Sequence, residues 1–262
     1  MSAGYASTID TYAKLAATKA AALRRSPAGF FVGAMLAGTY IGIAMILALS
    51  TGAGLPAGVR PLVMGGTFGI GLILTVFAGA ELFTGYVMYL GFGLAHRTIT
   101  LWEAVQLIVV VWIGNLAGGI ILSLVFAAGG GGAVFANADS MFHAYVAHKV
   151  EASAFALLAR AILCNWLVCL AIWTAARMQG DAAKCIAMAW ILLAFVAAGF
   201  EHSVANMTGL TLGLLVDHPS VTLIGVVRNL AIVSLGNAIG GLVFVCGGYL
   251  MAARTDAVVV AK

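Results

Sequence analysis

Charge is scarce in this sequence: Asp, Glu, Lys and Arg together make up 8% of 262 residues, against 63% hydrophobic residues. A soluble globular domain carries about 25% charged residues. So few charges cannot cover a water-facing surface, so most of the surface must face lipid. No polar stretch is long enough for a separate soluble domain. The net charge of +4 is small and scattered, which argues against a nucleic-acid partner. Cysteine is also sparse: Cys164, Cys169, Cys185 and Cys246 all lie in apolar stretches, without CxxC spacing or a neighbouring His cluster. They read as small buried hydrophobes, and no metal or cofactor is expected. An enzyme would need a metal cluster or a nucleophile–base pair; Glu81/Glu201 and His143/His148 are the only candidates, and neither is one.

Long apolar runs are abundant. A spanning helix needs about 20 apolar residues, and the chain divides into six such runs. They are Pro27–Ser50, Pro61–Ala95, Ala104–Ala128, Ala154–Ala176, Lys184–Val216 and Val221–Ala253. The expected class is an all-α membrane protein, a single transmembrane channel domain over 1–262. Its expected parts are a cytoplasmic helix (1–25), a first repeat (26–128), an outer connection (129–153), a second repeat (154–253) and a tail (254–262). In the first part Ile9, Tyr12, Ala16, Ala20 and Leu23 recur at helical spacing among Lys14, Lys19, Arg24 and Arg25, which suits a helix lying on the membrane surface or a solvated tail. No cleavable signal peptide is expected; the first span is expected to double as the insertion signal. With the N-terminus inside, nine Lys/Arg fall on the inner side (Lys14, Lys19, Arg24, Arg25, Arg97, Arg177, Lys184, Arg254, Lys262). Four (Arg60, Lys149, Arg160, Arg228) fall outside, and that bias predicts both termini in the cytoplasm.

Two motif pairs recur about 120 residues apart. Gly79-Ala80-Glu81 returns as Gly199-Phe200-Glu201, and Gly114-Asn115-Leu116-Ala117-Gly118-Gly119 returns as Gly236-Asn237-Ala238-Ile239-Gly240-Gly241. Each half then holds three spans, an odd number, so the second half enters from the opposite face and the repeat is inverted. Both Gly-x-Glu copies interrupt a span, the second and the fifth. An ionisable group and non-helical backbone at membrane depth are tolerated where they line a watery cavity or are buried in protein. Matching interruptions therefore point to a central permeation site.

His202 follows Glu201 at one interruption. Its imidazole titrates near neutral pH and can offer charge or a proton to an anion. Thr84, three residues past Glu81, can supply a hydroxyl. Glu81 and Glu201 are expected to hold the broken backbone by accepting N–H bonds. Asn115 and Asn237 are expected to hydrogen-bond across close helix contacts made by their small neighbours. Asn165, in Cys164-Asn165-Trp166, either caps a broken segment or joins this polar network. Phe68, Leu72, Leu82, Phe83 and Phe195 flank the interruptions, and side chains of this kind can form dry constrictions.

These residues resemble the formate/nitrite transporter family over nearly the whole chain. Glu81-Leu82-Phe83-Thr84-Gly85 is similar to its first signature, and Gly199-Phe200-Glu201-His202-Ser203-Val204-Ala205-Asn206-Met207 to its second. Cys164-Asn165-Trp166-Leu167-Val168-Cys169-Leu170-Ala171-Ile172-Trp173 is similar to the nitrite-channel branch. The resemblance implies an aquaporin-like fold, a homopentamer with one pore per protomer, and residence in a bacterial inner membrane. It implies that His202 and Thr84 face each other near the pore centre. It makes Lys149 a positive lure for anions, and it puts Leu72 and Phe195 at an inner constriction with Phe68 and Phe83 toward the outside. The expected activity is passage of nitrite, with formate, hydrosulfide or proton-coupled nitrite antiport as alternatives; a water or ammonia channel would not need the titratable ring. The charge bias makes a first prediction: cysteines placed in 1–25 and in 254–262 should both label from the cytoplasmic side of intact membranes. Labelling from opposite sides would remove both the span count and the inversion.

Overall fold

A helix rises 1.5 Å per residue, so about 20 residues match a hydrocarbon core of about 30 Å. Five stretches of the computed structural model meet that length and are apolar enough to cross: Pro27–Gly52, Arg60–Gly79, Leu101–Ala128, Ala154–Arg177 and Leu223–Arg254. Two shorter apolar helices, Phe83–Ala95 and Ser203–Leu215, have 13 residues each and cannot cross alone. The structure describes residues 4–136, 141–216 and 220–260, with side chains to residue 254. Lys262, counted above among the inside charges, lies outside the described residues, as does 137–140 of the outer connection.

In chain order the helices are α1 (Tyr5–Arg25), α2 (Pro27–Gly52), α3 (Arg60–Phe68), α4 (Ile70–Leu74), α5 (Phe83–Ala95), α6 (Leu101–Ala128) and α7 (Gly132–Ala136). Then come α8 (His143–Glu151), α9 (Ala154–Arg177), α10 (Asp181–Ala197), α11 (Ser203–Leu215), α12 (Leu223–Ile239) and α13 (Gly248–Val260). Wider π-helical turns occupy Thr75–Gly79 and Gly240–Gly247. Local chemistry sets several starts. Pro27 opens α2, where its missing N–H costs nothing. Thr100 and Glu103 form a reciprocal capping box on α6. Ser153 and Thr222 cap α9 and α12 through their hydroxyls.

Two helix pairs carry the packing, α2 on α6 and α9 on α12. Their backbones approach closely because glycines sit at the crossings. A Cβ on Gly118 would stand 2.0 Å from the Met35 carbonyl oxygen, and one on Gly38 would stand 2.0 Å from that of Asn115. In the second pair a Cβ on Gly240 would lie 2.3 Å from the Ile162 carbonyl oxygen. Helices in lipid associate through close packing of this kind, since lipid chains are as apolar as leucine. The opposite faces, such as Val109, Ile113, Ile121 and Leu124 of α6 and Ile224, Val227 and Leu235 of α12, are exposed apolar surface suited to lipid or a neighbouring subunit.

The apolar stripe of α1 does not lie free on a surface. Ile9, Tyr12, Ala13, Ala16 and Ala20 are buried, and α1 packs along α5. The Tyr12 hydroxyl donates to the Ile172 carbonyl at 2.9 Å, and its ring stacks on Tyr89. Helical spacing shows that such a stripe exists but not which surface covers it.

The crossing geometry predicts that Gly118→Val forces α2 and α6 apart and costs about 1–3 kcal/mol or more. Gly66→Ala, where an added Cβ meets nothing within 4 Å, should be neutral or slightly stabilising. Thermal unfolding in detergent checks both; equal melting temperatures for the two variants would contradict the close-contact account.

Candidate functional site

The helical path fails twice, in the same way. Gly79 has φ 81° and Gly199 φ 72°, left-handed backbone that glycine adopts at little cost. Just beyond them the Ala80 N–H reaches back five residues to the Thr75 carbonyl and the Phe200 N–H to that of Phe195, both at 3.0 Å. The chain then runs extended until α5 begins at Phe83 and α11 at Ser203. Every one of these partners is offset by 120 residues (75 to 195, 80 to 200, 83 to 203).

Asparagine, rather than carboxylate, satisfies the freed backbone. Asn115 Oδ1 accepts the Phe83 N–H at 2.9 Å, while its Nδ2 donates to the carbonyls of Ala34 and Glu81 at 2.7 and 2.8 Å. Asn237 repeats this with the Ser203 N–H at 2.9 Å and the carbonyls of Ala161 and Glu201 at 2.8 and 2.9 Å. Each amide therefore ties a long helix, the interruption and the start of a short helix together. The glutamate main chains add one bond each, from Glu81 N–H to Gly33 and from Glu201 N–H to Arg160.

The two carboxylates do something else, which corrects the expectation that they brace the backbone. Glu81 accepts from Lys19 Nζ at 2.7 Å on both oxygens and from the Tyr86 hydroxyl at 2.7 Å. Glu201 accepts from Lys149 Nζ at 2.9 Å and from Asn206 Nδ2 at 2.7 Å. Lys149 is only 6% exposed, so it is a buried counter-ion and not a free surface charge. Asn229 completes that side, accepting from Asn206 and donating to the Lys149 carbonyl. Lys19, Tyr86, Asn206 and Asn229 were not singled out as site residues from the sequence. The five-residue spacing of Tyr86 and Asn206 from the glutamates, and the place of Asn206 within the second signature, are the local signals; Lys19 and Asn229 have none.

Between the interruptions, Thr84 Oγ1 and His202 Nε2 lie 3.3 Å apart, and both residues are fully or nearly fully buried. His202 is also the N-cap of α11: its Nδ1 accepts the Ala205 N–H at 3.2 Å. A nitrogen that accepts carries no proton, so the neutral ring bears its proton on Nε2, pointing at Thr84. Thr84 stands in the first turn of α5, and its carbonyl accepts from Asn165 Nδ2 at 3.2 Å and Cys169 Sγ at 3.4 Å. Asn165 Nδ2 reaches the Asn237 carbonyl as well, at 2.7 Å, so it joins the network as a strut. The N-terminal ends of two short helices thus converge on one polar pair, and such ends favour negative charge.

Two cavities of about 480 Å³ each lie near this pair: one reaches His202, and the other reaches Leu82 and Gly85, which flank the Thr84 segment. Phe68, Phe195, Lys149, Glu201 and His202 line one of them; Leu72, Leu82, Lys19 and Glu81 line the other. The expected constriction is regrouped by this. Phe195 packs edge-on against Phe68, centroids 5.6 Å apart, and stacks on His202, because α10 runs along α3. Leu72 lines the other cavity together with Leu82, and Phe83 is buried beside the asparagine cap rather than in either cavity wall.

Apolar crossing helices with two cavities near a buried polar pair define a multi-pass membrane transport protein. The family model described as Formate/nitrite transporter matches residues 9–251. The nitrite transporter NirC of Escherichia coli is 44% identical over 92% of this chain and 90% of its own. The formate channel FocA of Haemophilus influenzae is 32% identical over 81% and 82%. A solved structure described as an FNT family ion channel superposes with a TM-score of 0.90 at 42% identity, covering 94% of this chain and 99% of that one. A pentameric formate channel with formate bound gives 0.76 at 30% identity, covering 87% and 98%. The chain belongs to the formate/nitrite transporter family.

The buried pair carries its own prediction. Lys149→Met leaves the Glu201 carboxylate without its cation and should cost about 3–5 kcal/mol, as should Glu201→Met. The double variant should recover a large part of that loss. Additive losses, measured by thermal unfolding, would mean that the two side chains do not depend on each other.

Proposed function

We propose that this protein is a channel for small monovalent anions, nitrite first among them. Six spans would form two inverted halves, with the second and fifth spans broken at Glu81 and Glu201, and both termini would lie in the cytoplasm of a cell whose inner membrane holds the protein. The observation that carries the reading is the convergence of Thr84 and His202 with two helix N-termini between two cavities. The names of the relatives support nitrite or formate as cargo, and the pentameric neighbour supports one pore per protomer in a homopentamer.

A bare anion is costly to move through a dry passage. Here its route is made less costly by fixed donors. Lys19 and Lys149 neutralise the two carboxylates, so neither repels the cargo. The Phe68–Phe195 pair on one side and Leu72 with Leu82 on the other form the narrow apolar collars that exclude bulk water. At the centre His202 Nε2–H and the Thr84 hydroxyl would turn from each other to the anion, with Asn165 holding the Thr84 backbone in place. A neutral ring can donate a hydrogen bond but not surrender that proton. A second proton must sit on Nδ1, and it would displace the Ala205 N–H. Charging the ring and releasing the α11 cap are therefore one event, which an adjacent anion makes easier by its opposite charge. From the imidazolium, the Nε2 proton can pass to a weak-acid anion, which crosses the collar neutral; the ring is left neutral with its proton on Nδ1, and it regains the capped form once that proton leaves to water and Nε2 takes one up from water.

His202→Asn retains a polar side chain but cannot titrate. It should flatten the pH dependence of nitrite flux in proteoliposomes and narrow the preference for nitrite over nitrate, the anion of a strong acid that protonation does not easily neutralise. Thr84→Ala should lower flux with a smaller effect on the pH profile. Superimposable pH profiles for wild type and His202→Asn, at matched incorporation, would make His202 structural and remove the proton step.

A further inference from the structure

The two mouths of the proposed pore differ in their unpaired charge. On the α8 side, the cavity wall includes three cations, Arg60, Lys149 and Arg160, and one carboxylate, Glu201, giving a net charge of +2 with His148 neutral. Lys149 is used up by Glu201 in a buried pair, so it does not supply that excess. Arg60 and Arg160 do: neither has a carboxylate partner among the described residues. On the other side the wall holds Lys19, Lys184 and Glu81. Lys19 is held by Glu81 and Lys184 by Asp181 at 3.1 Å, so each cation there has a partner.

The arginines are also placed to receive a ligand. Arg60 opens α3, the helix that leads to Phe68, and its Nη2 donates to the Leu55 carbonyl at 2.7 Å. Its Nε is buried without any acceptor among the described residues, a donor left open in a half-buried guanidinium. Arg160 lies on α9 at the second interruption, where its carbonyl accepts the Glu201 N–H at 3.3 Å. Its Nη1 reaches His148 Nε2 at 2.8 Å; since guanidinium only donates, His148 accepts there and is neutral in this contact. Guanidinium groups bind small planar oxyanions through paired N–H bonds, which ammonium cannot match.

We propose that Arg60 and Arg160 form a recruiting site for small oxyanions at the α8-side mouth, separate from the Thr84–His202 centre, and that it makes uptake from this side easier than from the other. This role falls to the arginines, because the expected lure, Lys149, is neutralised. The inference rests on the anion-channel reading. A field of two unpaired charges raises the local anion concentration near the mouth several-fold at low ionic strength and is screened as salt rises.

Nitrite flux into right-side-out and inside-out membrane vesicles containing the full chain tests it. Under the proposed orientation, R60Q/R160Q should raise the half-saturating nitrite concentration from the α8 side about three- to tenfold in low salt. Flux at saturating nitrite and flux from the opposite side should change little, and the difference should shrink near 0.5 M salt, where the Debye length is only a few ångströms. R60K/R160K keeps the charge and should recover most of the salt-sensitive part, which a merely structural role would not restore. An unchanged half-saturating concentration from the α8 side, or an equal loss from both sides, would overturn the recruiting site and leave the channel reading standing. A wild-type protein that carries no nitrite from either side would overturn the channel reading and this inference with it.

Discussion

A side-chain amide that bonds on three sides holds this structure together at its centre. Leaving the helical path inside a membrane strands backbone N–H and C=O groups, each at a cost of several kcal/mol. Asn115 and Asn237 each take up one stranded N–H and two carbonyls. They can do so because glycines let α6 and α12 press against α2 and α9 closely enough for a short amide to span the gap. Close packing, satisfied interruption and buried helix N-terminus are thus one device, present twice.

The two copies agree in scaffold and differ in chemistry. At the offset of 120, Leu82 corresponds to His202 and Val204 to Thr84. Had the symmetry been complete, the centre would hold two imidazoles and two hydroxyls, or none. Instead each half supplies one polar group, and they meet at 3.3 Å. The carboxylates follow the same rule of shared frame and differing detail. Glu81 takes a lysine from α1 and a tyrosine hydroxyl, while Glu201 takes a lysine from α8 and an amide. Neutralising both acids leaves the helix ends and the ring as the groups that an anion would meet in the middle.

Much of this was legible in the sequence. Low charge and long apolar runs gave the membrane class, and five of the expected runs match helices long enough to cross to within a few residues at most of their ends. The spacing of GNxxGG and Gly-x-Glu located both interruptions and the asparagines beside them. The partners of the charged groups were not legible, because they come from afar: Lys19 lies 62 residues before Glu81 and Lys149 52 before Glu201. No periodicity in one segment reports which cation will fold over a distant carboxylate. For the same reason the stripe of α1 could not say whether lipid or α5 would cover it, and the family resemblance put Phe195 beside Leu72, whereas the cavity walls group it with Phe68. The capping role of His202 rests on the Ala205 N–H only three residues away. It was hidden because histidine is an uncommon cap compared with Ser, Thr, Asp and Asn.

Under the proposed function, two capped interruptions build a passage for a small weak-acid anion. The direct measurement is the side-by-side flux of nitrite, formate and hydrosulfide in proteoliposomes containing only this protein. Nitrite should cross far faster than in protein-free liposomes and at least as fast as the other two. Nitrite flux equal to that of empty liposomes would contradict it.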